Sequence, residues 1–176
     1  MLTGRFAPSP SGRMHLGNVF SALLAWLSVR SRGGRMLLRI EDLDPDRCRP
    51  EYAETLKRDL DWRGRDWDAE QTPQSRRTEA YRAEFDKLAA LGLVYPCYCS
   101  RAELHAASAP HASDGTVVYA GTCRDLTPEQ RAVKTRAPAW RVRVPDERIT
   151  VHDGLQGLRQ EDLARDCGDF IIRRSD

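Results

Sequence analysis

Three cysteines, Cys97, Cys99 and Cys123, have the types and spacing to do chemistry. Cys97 and Cys99 lie two apart in a segment that reads as a strand, so both thiols point to one face. Two thiolates on one face can chelate zinc, and Cys123, across an irregular segment, offers a third ligand. An irregular segment with little core of its own gains most from a metal staple, worth roughly 10–16 kcal/mol in small zinc folds. Donor chemistry alone favours His105 or His111 as a fourth ligand over a phenol. The competing reading is three free thiols in a reducing compartment.

A second group lies near the start, where Arg5 to Asn18 reads RFAPSPSGRMHLGN. Thr3 to Ala7 has the look of a short strand. Pro8, Pro10 and Gly12 then forbid regular structure and force a fixed turn. Gly17-Asn18 opens an apolar run at helical spacing: Val19, Phe20, Leu23, Leu24, Trp26 and Leu27. Strand, stiff loop and helix N-terminus follow in order, and such a terminus presents unpaired amides and a positive dipole end to phosphate. His15, one turn ahead, could donate to a phosphate oxygen, and Gly17 lets a flat base or ribose approach the backbone. The plainer reading is an ordinary strand–helix connection capped by Asn18.

These groups need elements to hold them. The first helix is expected over Val19–Arg32, stopped by Gly33-Gly34. Arg35 to Ile40 (RMLLRI) reads as a buried parallel strand, and the strand–helix–strand order implies a doubly wound α/β sheet. Glu41-Asp42-Leu43-Asp44-Pro45 leaves the carboxyl end of that strand, where ligands bind in such sheets. For Asp42 and Asp44 a solvated acidic turn is the alternative.

Further helices are expected over 51–62 and 75–91, with a polar loop through Pro73 between them. Tyr81, Phe85, Leu88 and Leu91 of the second are assigned to the core. Leu93 to Cys99 reads as a strand. Ser100 with Glu103, and Thr127-Pro128-Glu129-Gln130, read as capping boxes. The segment from Ala106 to Gly121 reads as an irregular insertion. Trp140 to Val144 and Arg148 to His152 alternate like antiparallel strands, and Asp169 to Arg174 starts another.

At 176 residues the chain allows one domain, or one with a small insertion. A net charge of +2 does not mark a nucleic-acid binder. The 25 arginines against three lysines suit carboxylate and phosphate without proving an RNA or nucleotide partner, since genomic base composition gives the same bias. The five cysteines are odd in number, and no signal peptide or membrane span is visible. The expectation is a cytoplasmic protein with reduced thiols, in which Cys48 and Cys167 are buried.

The RFAPSPSGRMHLGN string resembles the signature of the glutamate-specific class I aminoacyl-tRNA synthetases, and LLRIEDLDPDR extends the match. Within that group, C-x-C followed by Y-x3-C resembles the zinc site of the glutamyl-queuosine tRNA(Asp) synthetases. The resemblance runs on through QSRRTEAYRAEFDKLAALGLVYPCYCSRAEL, YAGTCR and DFIIRR. It implies a class I synthetase Rossmann-like catalytic core with a zinc-binding insertion. Residues 1–95 would be the first half of the nucleotide-binding core, 96–126 the insertion, and 127–176 a connecting subdomain leading to a second half.

The same resemblance places Arg5, Phe6, Ala7, Pro8, Ser9 and Glu41 at the glutamate site. It places Pro8, His15, Gly17 and Asn18 at the ATP site, with His15, Gly17 and Asn18 catalytic. Asn18 stands where many class I enzymes have a second histidine. Zinc would be held by Cys97, Cys99, Tyr119 and Cys123. The donor chemistry agrees for glutamate: Arg5 can pair with a carboxylate bidentately and Glu41 with the ammonium. The implied partners are L-glutamate, ATP with magnesium, and tRNA(Asp) carrying queuosine, with no membrane, in a monomer.

One feature departs from the family. No K-[ML]-S-K string, the second ATP motif, occurs in the chain. The resemblance therefore implies that the chain is the N-terminal part of an enzyme of roughly 300 residues, incomplete on its own. The alternatives are part of an ordinary glutamyl-tRNA synthetase, a small nucleotidyltransferase of the same fold, or a non-catalytic zinc-bearing RNA-binding module.

Overall fold

Short β-forming runs flank an apolar-periodic helix at the start of the chain, and they fold as a strand–helix–strand unit. In the computed structural model, which describes residues 1–106 and 118–175, β1 (Thr3–Phe6) leads through the proline-rich loop into α1 (Leu16–Arg30) and then β2 (Arg35–Arg39). β1 and β2 pair in parallel, from Thr3 opposite Arg35 to Phe6 opposite Leu38. Gly4 is where β1 passes closest to α1: a Cβ there would lie 2.2 Å from Cγ2 of Val29. α1 ends one turn before Gly33, whose φ of 60° takes the chain out of the helix.

α2 (Pro50–Trp62) sets Leu56 and Leu60 one turn apart against Ala22, Leu38 and Ile40. Phe6, Met14, Ala53 and Trp67 complete this core. β3 (Ala69–Gln71) then adds a third parallel strand to the free side of β2, in the order β1-β2-β3. The expected polar loop through Pro73 therefore contains a strand. Ala69-Glu70-Gln71 has no β pattern of its own; pairing with Leu37, Leu38 and Arg39 makes it one.

The helix expected from Ser75 is split. Gln74–Arg77 is a 3-10 turn, and α3 is Thr78–Ala90. The cause lies upstream: Gln74 donates its amide to the carbonyl of Ile40 at 3.1 Å, and Asp42 accepts from both the amide and the hydroxyl of Ser75 at 2.9 and 2.7 Å. These bonds tie the start of the helix to the end of β2. The assignment of Tyr81, Phe85, Leu88 and Leu91 to the core is corrected as well. No residue of α3 is buried, and Leu91 is 70% exposed.

The chain divides into two compact units, Met1–Ala83 and Glu84–Asp176, with the boundary inside α3. In the second unit, β4 (Val94–Cys97) is followed by α4 (Arg101–Ala106), α5 (Pro128–Ala132) and β5 (Ala139–Val142). Both capping boxes form, Ser100 with Glu103 and Thr127 with Gln130. β6 (Arg148–Asp153) and β7 (Gly157–Asp162) make a hairpin, and α6 (Leu163–Asp166) leads to β8 (Ile171–Arg173). β5 lies between β4 and β8, antiparallel to each. Phe85 meets the Trp140 ring edge-on, 5.2 Å between centroids.

Cys48 and Cys167 are not buried as expected. Cys48 is half-buried in the turn after Asp44, and Cys167 is exposed at the end of the four-residue α6, which buries nothing. Most of the expected irregular insertion, with His111, lies outside the described residues. No helix among the described residues is long and apolar enough to cross a membrane.

Candidate active site and metal centre

The carboxyl end of β1 opens into a cleft of about 650 Å³. The structure brings Phe6, Ala7, Pro8, Ser9, His15 and Asn18 to its walls. Pro8 and Pro10 are buried, and the Pro8 carbonyl accepts the Glu41 amide at 2.9 Å, which joins the loop after β1 to the segment after β2. The loop is thus a braced wall rather than a loose connection.

α1 begins three residues earlier than its apolar pattern indicates. His15, not Asn18, is the N-cap, and Asn18 turns its side-chain oxygen back to the His15 amide at 3.4 Å. The His15 side chain accepts in turn from the Asn18 amide, which leaves the amides of Leu16 and Gly17 as the open donors at the helix end. His15 stands directly at the helix end rather than one turn ahead, and its side chain is exposed. Gly17 has a local role: a Cβ there would lie 3.2 Å from Cε1 of the His15 ring.

Arg5 and Glu41 do not line the cleft. Arg5 is exposed on β1, and Glu41 is half-buried in an ion pair with Arg39. An ionised carboxylate offers about four acceptor positions, so that pair does not exhaust Glu41. Asp42 has a structural task, the clamp on Ser75. Burial works against its ionisation, but the Ser75 amide and hydroxyl outweigh burial and hold it below the usual carboxylate range. A carboxylate with a depressed folded pKa stabilises the fold above its unfolded value and loses that contribution as pH falls through the folded one. Asp42→Asn is expected to lower the melting temperature at neutral pH and to reduce the further loss below about pH 4. Parallel melting profiles for the two proteins from neutral to acid pH would remove the clamp from the account.

The thiols gather in the second unit. The Sγ atoms of Cys97, Cys99 and Cys123 all lie within 4.8 Å of one another. β4 ends at Cys97 and not at Cys99, because Ser100 already turns to cap α4. Cys99 therefore reaches the cluster from a loop. Cys123 comes from the turn after Gly121, and its amide donates to the Tyr119 hydroxyl at 2.8 Å. Tyr119 is set by a bridge to Gly168, where a Cβ would lie 2.8 Å from the Tyr119 carbonyl.

Tetrahedral zinc with sulfur at about 2.3 Å and oxygen at about 2.0 Å separates sulfurs by about 3.8 Å and sulfur from oxygen by about 3.5 Å. The Cys99 and Cys123 sulfurs are 3.6 Å apart, and the Tyr119 oxygen lies 3.4 Å from the Cys97 sulfur and 4.0 Å from that of Cys99. Three thiols and a phenol oxygen thus have the spacing of a small tetrahedral ion. Among themselves they resist ionising together. Burial and the neighbouring Cys123 push the Cys99 thiol up to about 12. For Cys97 burial acts in the same sense, but the Tyr119 hydroxyl, the Cys99 amide and the Arg141 guanidinium bring it below its usual value. Burial raises the Tyr119 phenol. A divalent cation removes this conflict.

Three residues around the cluster carry no motif in the sequence. Asp169, 3% exposed, accepts from the Tyr95 hydroxyl at 2.6 Å and the Val144 amide at 2.9 Å. Arg141 lies with its guanidinium 3.7 Å from the Tyr119 ring centroid. The available signal was positional: Arg141 stands among apolar neighbours in an alternating strand, and Asp169 opens an otherwise apolar strand start.

The parallel sheet, braced loop and helix N-terminus are the parts of a nucleotide-binding α/β core, and the chain belongs to the family tRNA synthetases class I (E and Q), catalytic domain, which it matches over residues 1–176. More particularly, the chain is 50% identical over 190 residues to the glutamyl-Q tRNA(Asp) synthetase of Nitratidesulfovibrio vulgaris, a match covering 100% of this chain and 58% of that protein. It is 47% identical over 173 residues to the glutamyl-Q tRNA(Asp) synthetase of Thiobacillus denitrificans, covering 98% of this chain and 56% of that protein. The chain thus spans less than two thirds of the length of these curated relatives. A glutamate tRNA ligase from Elizabethkingia meningosepticum, solved in complex with its amino acid, superposes with a TM-score of 0.78 at 27% identity, covering 99% of this chain and 39% of that one.

Proposed function

We propose that this chain is the glutamate-activating part of a cytoplasmic enzyme that attaches glutamate to the queuosine base of tRNA(Asp). The constellation of Cys97, Cys99, Tyr119 and Cys123 carries this reading, because its Y-x3-C half resembles the queuosine-directed group and is not usual in ordinary glutamyl-tRNA synthetases. The names of the relatives at 47–50% identity support it.

In this reading residues 1–95 form the first half of the nucleotide-binding core, 96–126 a zinc-binding insertion, and 127–176 a connecting subdomain. Arg5 pairs with a glutamate carboxylate, Glu41 with the ammonium, and Ser9 adds a small donor. Phe6, Ala7 and Pro8 shape the wall. ATP, brought with magnesium, lays its phosphates against His15 and the amides that open α1. An oxygen of the glutamate carboxylate attacks the α-phosphorus, and pyrophosphate leaves. A ring hydroxyl of queuosine then attacks the acyl carbon, and AMP leaves. The chain's part is positioning and charge stabilisation, with no covalent nucleophile. Zinc, held by the three cysteines and Tyr119, supplies structure.

The activation half is tested by glutamate-dependent exchange of pyrophosphate into ATP, in a polypeptide of the relatives' length that carries this chain. Glu41→Ala strands the ammonium and is expected to cut the exchange by about 10- to 150-fold, the equivalent of 1.5–3 kcal/mol for a charged hydrogen bond. Unchanged exchange would leave Glu41 as the partner of Arg39 alone.

A further inference from the structure

Among the described residues of the second unit, one buried cation has no carboxylate partner. Arg141 is 6% exposed. Its Nη1 donates to the Asp169 backbone carbonyl at 2.5 Å, while its buried Nε has no hydrogen-bond partner. The nearby Asp169 carboxylate is committed elsewhere, to Tyr95, the Val144 amide and Arg124. Among the described residues, Arg141 forms no ion pair with any carboxylate. An unpaired buried charge is costly, so a guanidinium in this position implies an anion close by.

The arrangement of the cluster names that anion. Three thiolates around a divalent ion leave one net negative charge, and Cys97 and Cys123 bury it at 3% and 4% exposure. Tyr119 lies between the two charges in contact terms: its hydroxyl is 3.4 Å from the Cys97 sulfur, and its ring faces the Arg141 guanidinium at 3.7 Å. A guanidinium stacked on a ring both fixes the ring's orientation and keeps its own charge desolvated, where it acts most strongly.

We propose that Arg141 is the built-in counter-charge of the metal–thiolate cluster and the residue that positions Tyr119 against it. This rests on the zinc reading of Cys97, Cys99, Tyr119 and Cys123. Arg141 touches no substrate; it acts through the ligands. It also gives the second unit a reason to carry an arginine on the inner side of β5, where an apolar residue would otherwise fit.

The test is the zinc affinity of the whole chain, measured by competition with a chromogenic chelator. Arg141→Met is expected to weaken zinc binding by about 10- to 100-fold, the usual effect of removing a partner behind a metal ligand. Arg141→Lys restores the charge and is expected to recover most of that loss. Arg143→Met, on the same strand with its guanidinium 5.0 Å from the Tyr95 ring, should bind zinc as the parent chain does. A purely structural arginine would lower the melting temperature of the zinc-free chain as much as that of the loaded one, and lysine would not rescue affinity. If Arg141→Met does not fold, Arg141→Lys binding more tightly than Arg141→Gln supports the counter-charge, and equal affinities overturn it. Equal affinities in the parent chain, Arg141→Met and Arg141→Lys overturn the role of Arg141 alone. A parent chain that binds no zinc overturns the zinc reading itself, and the inference falls with it.

Discussion

Cys97→Ser is expected to strip the metal and to loosen most of the unit formed by Glu84–Asp176. The reason is that its buried cluster, Tyr95, Cys97, Tyr119 and Cys123, contains three of the four proposed ligands, and the fourth, Cys99, packs against it. Few other side chains in the unit are buried, so little apolar core replaces the metal when it leaves. Structural zinc in small folds contributes roughly 10–16 kcal/mol, comparable with the whole stability of a domain. Losing even about 4 kcal/mol of it corresponds to a fall in melting temperature on the order of 15–30 °C for a unit of this size. The measurement is zinc content by elemental analysis together with melting in the presence and absence of a chelator. A chain that melts at the same temperature with and without metal would remove zinc from the fold. Tyr119→Phe should weaken binding while His105→Ala and His111→Ala should not; the opposite pattern would reassign the fourth ligand.

How far the sequence could be read follows from where each element gets its stability. β1, α1 and β2 were legible because their patterns are local: a short apolar strand, a periodic helix and Gly33 to end it. The capping boxes at Ser100 and Thr127 were legible for the same reason, since side chain and amide lie three residues apart. β3 was not, because Ala69-Glu70-Gln71 becomes a strand only through β2, a partner about thirty residues away. β7 escaped likewise. Its residues do not alternate, and the turn that leads into it is set in the fold, where Asp153 accepts from the amides of Leu155 and Gln156 and Gly157 takes a φ of 79°.

The candidate metal centre was partly readable and its surroundings were not. Cys97, Cys99 and Cys123 announce themselves by type and spacing, whereas Tyr119 came from the resemblance alone and donor chemistry favoured His105 or His111. Arg141, Asp169 and Tyr95 are ordinary residues in ordinary strands until the fold places them together. The start of α1 shows a similar limit. Apolar spacing marks where a helix buries its face, whereas Asn18 reaching back to His15 marks where it begins, three residues earlier. That difference bears on the proposed ATP site, because it brings His15 to the helix end, beside the open amides that would face phosphate.

The transfer half of the reaction is the part on which the functional account stands. Radiolabelled glutamate and ATP would be supplied to a polypeptide of the relatives' length that carries this chain, with tRNA(Asp) containing queuosine, the same tRNA without it, and tRNA(Glu). The hydroxyl that attacks the glutamyl-adenylate belongs to the modified base, so a tRNA without that base offers nothing to acylate. Label is expected on queuosine-containing tRNA(Asp) alone. It should survive removal of the terminal adenosine, because the glutamate is not esterified to the terminal ribose. Label on the terminal ribose of tRNA(Glu), with none on queuosine-containing tRNA(Asp), would contradict the account and make this the catalytic core of an ordinary glutamyl-tRNA synthetase.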